Sequence, residues 1–211
     1  MTVQLSKRSF LKGLFATGAA LPLGSLAHAA VSEIPQKWDR ETDVVILGYG
    51  GAGASAAITA KDAGAEVVIF EKCAQGGGNT AVSSGGMMIP NNRERAIAYL
   101  DKTYDFANSQ KDAELLEAFV DEAMKSKEFL LSLAPDQKVY IYGHAGFQNI
   151  PESDAIDKWR FRTPKGQKTR GGDMLFNNYR YAVETARKIP VVYNAKGLEL
   201  IQKDGQVIGA W

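Results

Sequence analysis

Thr42-Asp43-Val44-Val45-Ile46-Leu47-Gly48-Tyr49-Gly50-Gly51-Ala52-Gly53 is the stretch whose reading decides the fold. Residues 43–47 form a short apolar, β-branched run, long enough for a buried strand and too short for a helix. Gly48, Gly50 and Gly53 follow in the spacing G-x-G-x-x-G, and residues 54–63 read as a helix. Each glycine has its own task. Gly48 allows the tight turn, Gly50 lets the backbone approach a pyrophosphate, and Gly53 lets helix and strand pack closely. The helix N-terminus adds N–H groups and a positive dipole end. A second apolar run, 66–70, ends at Glu71, about twenty residues past the glycines, where an acid would meet a ribose 2′-hydroxyl. The segment reads as a dinucleotide-binding strand–turn–helix, against the alternative of a glycine-rich turn without a ligand.

Composition narrows the class. The chain has 211 residues, 45% of them hydrophobic, and a net charge of +1. No basic run with interleaved aromatics points to nucleic acid. The single cysteine, Cys73, excludes an internal disulfide and a cysteine-cluster metal site, and reads as a bystander near the nucleotide loop.

Residues 1–29 read as an address. Ser6-Lys7-Arg8-Ser9-Phe10-Leu11-Lys12 is a basic opening, residues 13–26 are apolar, and Ala27-His28-Ala29 has the form of a signal peptidase site. The heptad resembles the twin-arginine export motif with Lys7 in place of the first arginine. An ordinary secretory signal or an uncleaved anchor is the alternative. Export predicts a periplasmic or extracytoplasmic protein with no stable membrane insertion after cleavage. Without residues 1–29, 22 basic side chains face 24 acidic ones. Residues 30–41, with Pro35, read as a polar linker.

After Glu71 the chain is dense in glycine: Gly76-Gly77-Gly78-Asn79-Thr80, then Ser83-Ser84-Gly85-Gly86. Such a stretch suits a backbone laid against something flat or anionic and argues against a packed helix or strand. Met87-Met88-Ile89 and Pro90 follow directly, which argues against a flexible linker.

Together GYGGAG, Glu71-Lys72 and GGNTAVSSGG resemble the FAD-binding segment of the fumarate reductase/succinate dehydrogenase flavoprotein superfamily. Its branches include soluble fumarate reductases, urocanate reductase and 3-ketosteroid dehydrogenases. The run Ser84-Gly85-Gly86 to Pro90-Asn91-Asn92 is similar to the ketosteroid branch. The resemblance implies an α/β, Rossmann-like FAD/NAD(P)-binding domain with a parallel sheet, a helical insertion and a β-hairpin. It implies FAD as cofactor. Gly48, Gly50, Gly51, Ala52 and Gly53 would lie on the pyrophosphate, Glu71 on the adenosine ribose and Lys72 beside the adenine. Gly77, Gly78, Asn79, Thr80, Gly85 and Gly86 would wrap the diphosphate–ribityl region and one face of the isoalloxazine. Gly197 would hold the adenine through its backbone. On the same resemblance, residues 42–211 are the N-terminal part of the FAD-binding domain, and most substrate ligands lie in segments that follow it.

Residues 93–108 and 112–133 read as helices. Asp112 stands as a cap, and Leu115, Leu116, Phe119, Val120, Ala123 and Met124 read as a core stripe. Residues 139–142 suggest a strand in an otherwise unpatterned region, 137–168. Within it Tyr142 is a candidate proton donor and His144 a candidate hydrogen-bond donor to a carboxylate or ketone, each with a plain packing role as the alternative. Residues 174–188 read as a further helix and 191–193 as a strand. Residues 198–211 read as a hairpin around Asp204-Gly205. The function expected is an exported FAD-dependent oxidoreductase acting on a C=C or CH–CH bond beside a carbonyl. Its substrate would be an enoate or a ketosteroid, and its electron partner a cytochrome or quinol. A non-catalytic FAD-binding module is the alternative. A nicotinamide-binding domain fits less well, because it has no use for the second glycine loop.

Overall fold

The computed structural model describes residues 34–107, 110–135, 137–162 and 171–211. The expected export segment and residues 30–33 of the expected linker lie outside the described residues.

β1 (Val44–Leu47) and β2 (Val67–Phe70) pair in parallel, with Val44 opposite Val67 and Leu47 opposite Phe70. The crossover between them is α1 (Gly51–Asp62), which buries Ala54, Ala57 and Ile58. Small residues on that row let the helix approach the sheet. α1 begins three residues before the expected start, because Gly50 takes the extended N-cap position and Gly51, Ala52 and Gly53 become its first turn. Asp43 accepts the Glu66 N–H at 2.8 Å and closes the entry to β2. β6 (Val191–Val192) pairs with the other edge of β2, giving the order β1-β2-β6.

A second, antiparallel sheet has the order β3-β5-β4, from β3 (Met87–Pro90), β4 (Val139–His144) and β5 (Ile156–Phe161). β5 hides in the sequence because its inward row, Asp157, Trp159 and Phe161, opens on a charged residue, and Lys158 and Arg160 stand on the opposite face. Two helices flank this sheet, α3 (Arg93–Phe106) and α4 (Ala113–Ser132). Each starts on the side-chain cap its sequence offers: Asn92 accepts from Arg95 N–H and Asp112 from Leu115 N–H. Asp112 caps as expected.

The α4 stripe is only half core. Leu116 and Val120 are buried, whereas Leu115 and Phe119 are 61% and 57% exposed and Met124 is at the surface. The apolar residues occupy two adjacent rows of the helix, and the contacts with α3 and β3 cover one of them.

The glycine stretch also departs from expectation. Residues Gly78–Val82 form a single-turn helix, α2, entered through Gly77 and Gly78 at φ 133° and 48°. Glycine's left-handed freedom makes the turn instead of preventing it. α5 (Gly171–Arg180) continues as a π-helical turn, Tyr181–Ala186, where one α-helix was expected. The hairpin is β7 (Leu200–Lys203) and β8 (Gln206–Ala210), turning through Asp204 and Gly205 at φ 51° and 76°, both left-handed as a tight hairpin requires. Trp38 of the expected linker packs against Gly209 of β8. No helix among the described residues is long and apolar enough to cross a membrane.

A Cβ on Gly53 would fall on the Gly48 carbonyl oxygen, whereas a Cβ on Gly64, at φ 92°, would meet open space. Gly53→Ala should therefore destabilise the fold by at least about 2 kcal/mol through overpacking. Gly64→Ala should cost only about 1 kcal/mol for the left-handed backbone. Urea midpoints of the two variants test this order.

Candidate dinucleotide-binding site

The two glycine loops meet. Gly77 N–H donates to the Tyr49 carbonyl at 2.7 Å, and Gly51 N–H donates to Thr80 Oγ1 at 3.0 Å. Gly50 and Gly77 form an isolated parallel bridge between them. Gly48, at φ 99°, makes the turn that the sequence assigned to it. A Cβ on Gly50 would stand 3.7 Å from the Gly77 carbonyl, so any larger side chain would fill the gap between the loops. α1 carries no side-chain cap and no acid in its first turn. Gly51 N–H is taken by Thr80, so the N–H groups of Ala52 and Gly53 and the helix dipole are left for a ligand, an arrangement suited to a phosphate.

Tyr49 explains Gly76. The Tyr49 ring is fully buried, edge-on to Phe176 of α5 at 5.1 Å, and a Cβ on Gly76 would clash with both rings. The π-helical turn places Glu184 beside this pair, where it accepts from the Tyr193 hydroxyl at 2.9 Å. Burial first, and then Glu184, pushes Tyr193 up to about 12. The same two causes, in the same order, raise Tyr49 further.

Glu71 sits at the end of β2, 7% exposed. Its Oε2 accepts the Tyr49 N–H at 2.7 Å and its Oε1 the Cys73 N–H at 2.8 Å. Burial alone would raise its pKa. The two backbone donors, with Lys72 nearby, outweigh burial and hold it below the ordinary carboxylate range. Each oxygen retains acceptor capacity for a further hydroxyl.

The other expected residues are placed as follows. Ala52, Lys72, Gly78 and Asn79 are exposed around the two loops. Gly85, at φ 67°, is buried against Gly171, and a Cβ on Gly86 would clash with the Tyr142 hydroxyl. Gly172 at the start of α5 donates its N–H to the Ser83 carbonyl at 3.2 Å, so the second loop lies between α1 and α5. Gly197 stands apart from the loops. It packs on Leu47 and lines a cavity of about 910 Å³ between the sheet face of Val45, Leu47, Val68 and Phe70, residues 34–42, and the hairpin.

Tyr142 and His144 are not brought together. β4 has a register shift between Ile141 and Gly143, so Tyr142 is an extra residue in the strand. Tyr140 pairs with Arg160 while His144 pairs with Asp157. Positions 157 and 160 of β5 point to opposite faces, and the bulge therefore separates the two candidates. His144 Nδ1 lies 3.2 Å from Asp157 Oδ1, and Asn91 donates to the same oxygen at 3.0 Å. Tyr142 instead lies under the Arg160 guanidinium, 4.5 Å from the ring centroid. The pairing of Asp157, Asn91 and Arg160 with these two candidates escaped the sequence reading, since it depends on a cross-strand register that one bulge resets.

Known proteins fit this geometry. The FAD binding domain family matches residues 43–211. The chain is 48% identical to the urocanate reductase of Eggerthella lenta over 63 residues, 30% of this chain and 10% of that protein. In fold it resembles the 3-ketosteroid-Δ4-(5α)-dehydrogenase of Rhodococcus jostii RHA1, solved with 4-androstene-3,17-dione, at a TM-score of 0.68 and 22% identity. That likeness covers 83% of this chain and 42% of the other. A flavocytochrome c3 fumarate reductase in its open conformation matches at a TM-score of 0.59 and 26% identity, over 80% of this chain and 29% of that one. The chain thus spans less than half the length of these relatives. It belongs to the FAD-binding domain family of the fumarate reductase/succinate dehydrogenase flavoprotein superfamily, and its cofactor is FAD. The uncapped α1 terminus, the open Gly50 position and the buried Glu71 carboxylate suit that cofactor's diphosphate and ribose.

Glu71 also carries a pH signature. Its folded pKa lies below its unfolded value, so its stabilising contribution is complete above the ordinary carboxylate range and is lost as pH falls through the folded pKa. Urea midpoints of the wild type should fall between pH ~7 and ~3. Glu71→Gln should have a lower midpoint at neutral pH and lose part of that dependence.

Proposed function

We propose that the site holds FAD across the two glycine loops and serves an oxidoreductase acting on a C=C or CH–CH bond beside a carbonyl. The contact between the Tyr49–Gly53 turn and the Gly77–Thr80 loop, above the Glu71 carboxylate, carries this reading. Gly50, Gly51, Ala52 and Gly53 would receive the pyrophosphate on the N-terminus of α1. Glu71 would accept from the ribose, with Lys72 beside the adenine. Gly77, Gly78, Asn79 and Thr80 would line the diphosphate–ribityl stretch, and Gly85 and Gly86 the isoalloxazine. Gly197, packed on Leu47, would need its backbone to reach the adenine from the sheet's open face. When bound, the flavin supplies the hydride chemistry. The chain's own residues orient it and exclude water: Tyr49 and Phe176 back the first loop, and α5 backs the second. Among the described residues Tyr142, whose hydroxyl lies at Gly86, is the one best placed to meet a substrate.

A second reading, a FAD-binding module without turnover of its own, is favoured by the sheet's open face, where Val45 and Leu47 remain 43% and 47% exposed. Reduced viologen separates the two. An oxidoreductase consumes it when crotonate or a 3-ketosteroid is added, whereas a binding module retains FAD and consumes none. We also propose export, on the pattern of residues 6–29; fractionation of cells expressing the chain tests it.

The purified chain with added FAD should retain flavin through gel filtration. Gly50→Val should abolish retention, because its side chain fills the space between the loops, while the far-ultraviolet circular dichroism stays that of the wild type. Retention by Gly50→Val at the wild-type level would remove the loops from the binding site.

A further inference from the structure

The outer face of the antiparallel sheet collects positive charge. Alternation along β5 turns Lys158 and Arg160 outward, and Arg162 follows on their side just past the strand. The Arg162 N–H donates to the Lys138 carbonyl at 2.7 Å, which brings Lys138 level with Arg162, two residues before Tyr140 on the same face. The Arg162 guanidinium lies 5.2 Å from the Tyr140 centroid, and the two outward rings, Tyr140 and Tyr142, are 6.3 Å apart. Between Asp157 and Asp173 the sequence has no acid.

These cations differ from others in the chain. Arg93, Arg95, Lys102, Lys111, Lys125, Arg180 and Arg187 each lie against a carboxylate. Among the described residues Lys138, Lys158, Arg160 and Arg162 have none. Past residue 29 the chain has 22 basic and 24 acidic side chains, so the 18 cations not on this face are outnumbered by the acids. A chain close to neutral in total thus concentrates positive charge on one flat surface. Such separation steers an oppositely charged partner and orients it.

The surface itself indicates the class of partner. Lys138 and Arg162 are exposed and Lys158 is half-buried, so three heads can meet a partner, while Arg160, whose Nε is buried, adds only its field. Arg162 is held on a ring in advance, and tyrosine with arginine is the pairing that carries energy at protein interfaces. The acid excess elsewhere repels a nucleic acid. A lipid surface needs apolar side chains to insert, and the centre of this face is phenol and guanidinium. We infer that this face is a docking surface for a protein that presents a cluster of carboxylates. The Tyr142 hydroxyl lies against Gly86, so the docked protein sits beside the Ser84–Gly86 loop. The inference does not rest on the FAD reading.

The test titrates the full chain into fluorescein-labelled decaglutamate and reads anisotropy. The peptide should bind, and its affinity should fall at least about tenfold between ~20 and ~200 mM sodium chloride. At the lower salt, Lys138→Gln with Arg162→Gln should weaken binding at least about fivefold, and reversal of both to Glu should abolish it. Lys37→Gln with Lys203→Gln removes the same net charge at two exposed lysines on the hairpin cavity, and should bind as the wild type does. Circular dichroism checks that each variant is folded, and the glutamine pair decides the matter if the reversed chain is not. A wild type that does not bind the peptide, or equal loss in the two glutamine pairs, would overturn the inference. Tighter binding of decathymidylate or of phosphatidylglycerol vesicles than of the peptide would overturn it too, in favour of a nucleic acid or a membrane.

Discussion

The site depends on one buried carboxylate. Glu71 joins segments that are otherwise distant: its side chain accepts from Tyr49 in the first loop and from Cys73 in its own. Its backbone N–H donates to Val192 and its carbonyl accepts from Ala195, on either side of the turn leaving β6. Loop, strand end and returning strand are thus fixed to one residue. A charge buried to this degree is tolerated only because backbone donors replace its water. The same donors keep it ionised, so an acceptor stands ready at the end of the sheet's central strand.

Around that anchor, the architecture is set by atoms that are missing. The glycines do not loosen this region. They let backbones approach until helix meets turn and loop meets loop. Gly53 brings α1 onto the Gly48 carbonyl, Gly76 admits the Tyr49 and Phe176 rings, and Gly171 and Gly172 bring α5 onto the carbonyls of the second loop. The closeness of α1, α2 and α5 follows from those contacts. A flat cofactor needs such a surface, since each Cβ removed from the backbone is one less obstacle between an N–H group and a phosphate.

This also explains what could be read from the sequence. The strand–turn–helix, Glu71 and the Asp204-Gly205 hairpin were legible because each is a local signal whose spacing carries its own geometry. The helices at Arg93 and Ala113 were legible for the same reason, through their periodicity and through the cap at Asp112. Three features were not. The single turn at Gly78 defied composition, because its stability comes from Thr80 and Gly77 bonding across to the first loop. Leu115 and Phe119 looked like core because periodicity reports an apolar row and not whether a neighbour covers it. The partners of His144 and Tyr142 were invisible because a one-residue bulge in β4 decides which face each joins.

That bulge has the larger functional weight. With strict alternation, residues 142 and 144 would share one face, and the aromatic and the imidazole would meet the same ligand. The inserted residue instead gives His144 to Asp157 and Asn91 on the side of the buried row, and leaves Tyr142 with Arg160 on the side of the Ser84–Gly86 loop. A histidine of β4 beside Asp157 and an arginine of β5 stacked on Tyr142 thereby stand on opposite faces of the sheet without competing for one partner. Bulges re-aim side chains at the cost of a ladder hydrogen bond, and here the re-aimed side chain is His144, while the Tyr142 hydroxyl keeps its place at Gly86. The chemistry available at that loop is therefore set less by which residues β4 contains than by where its register slips.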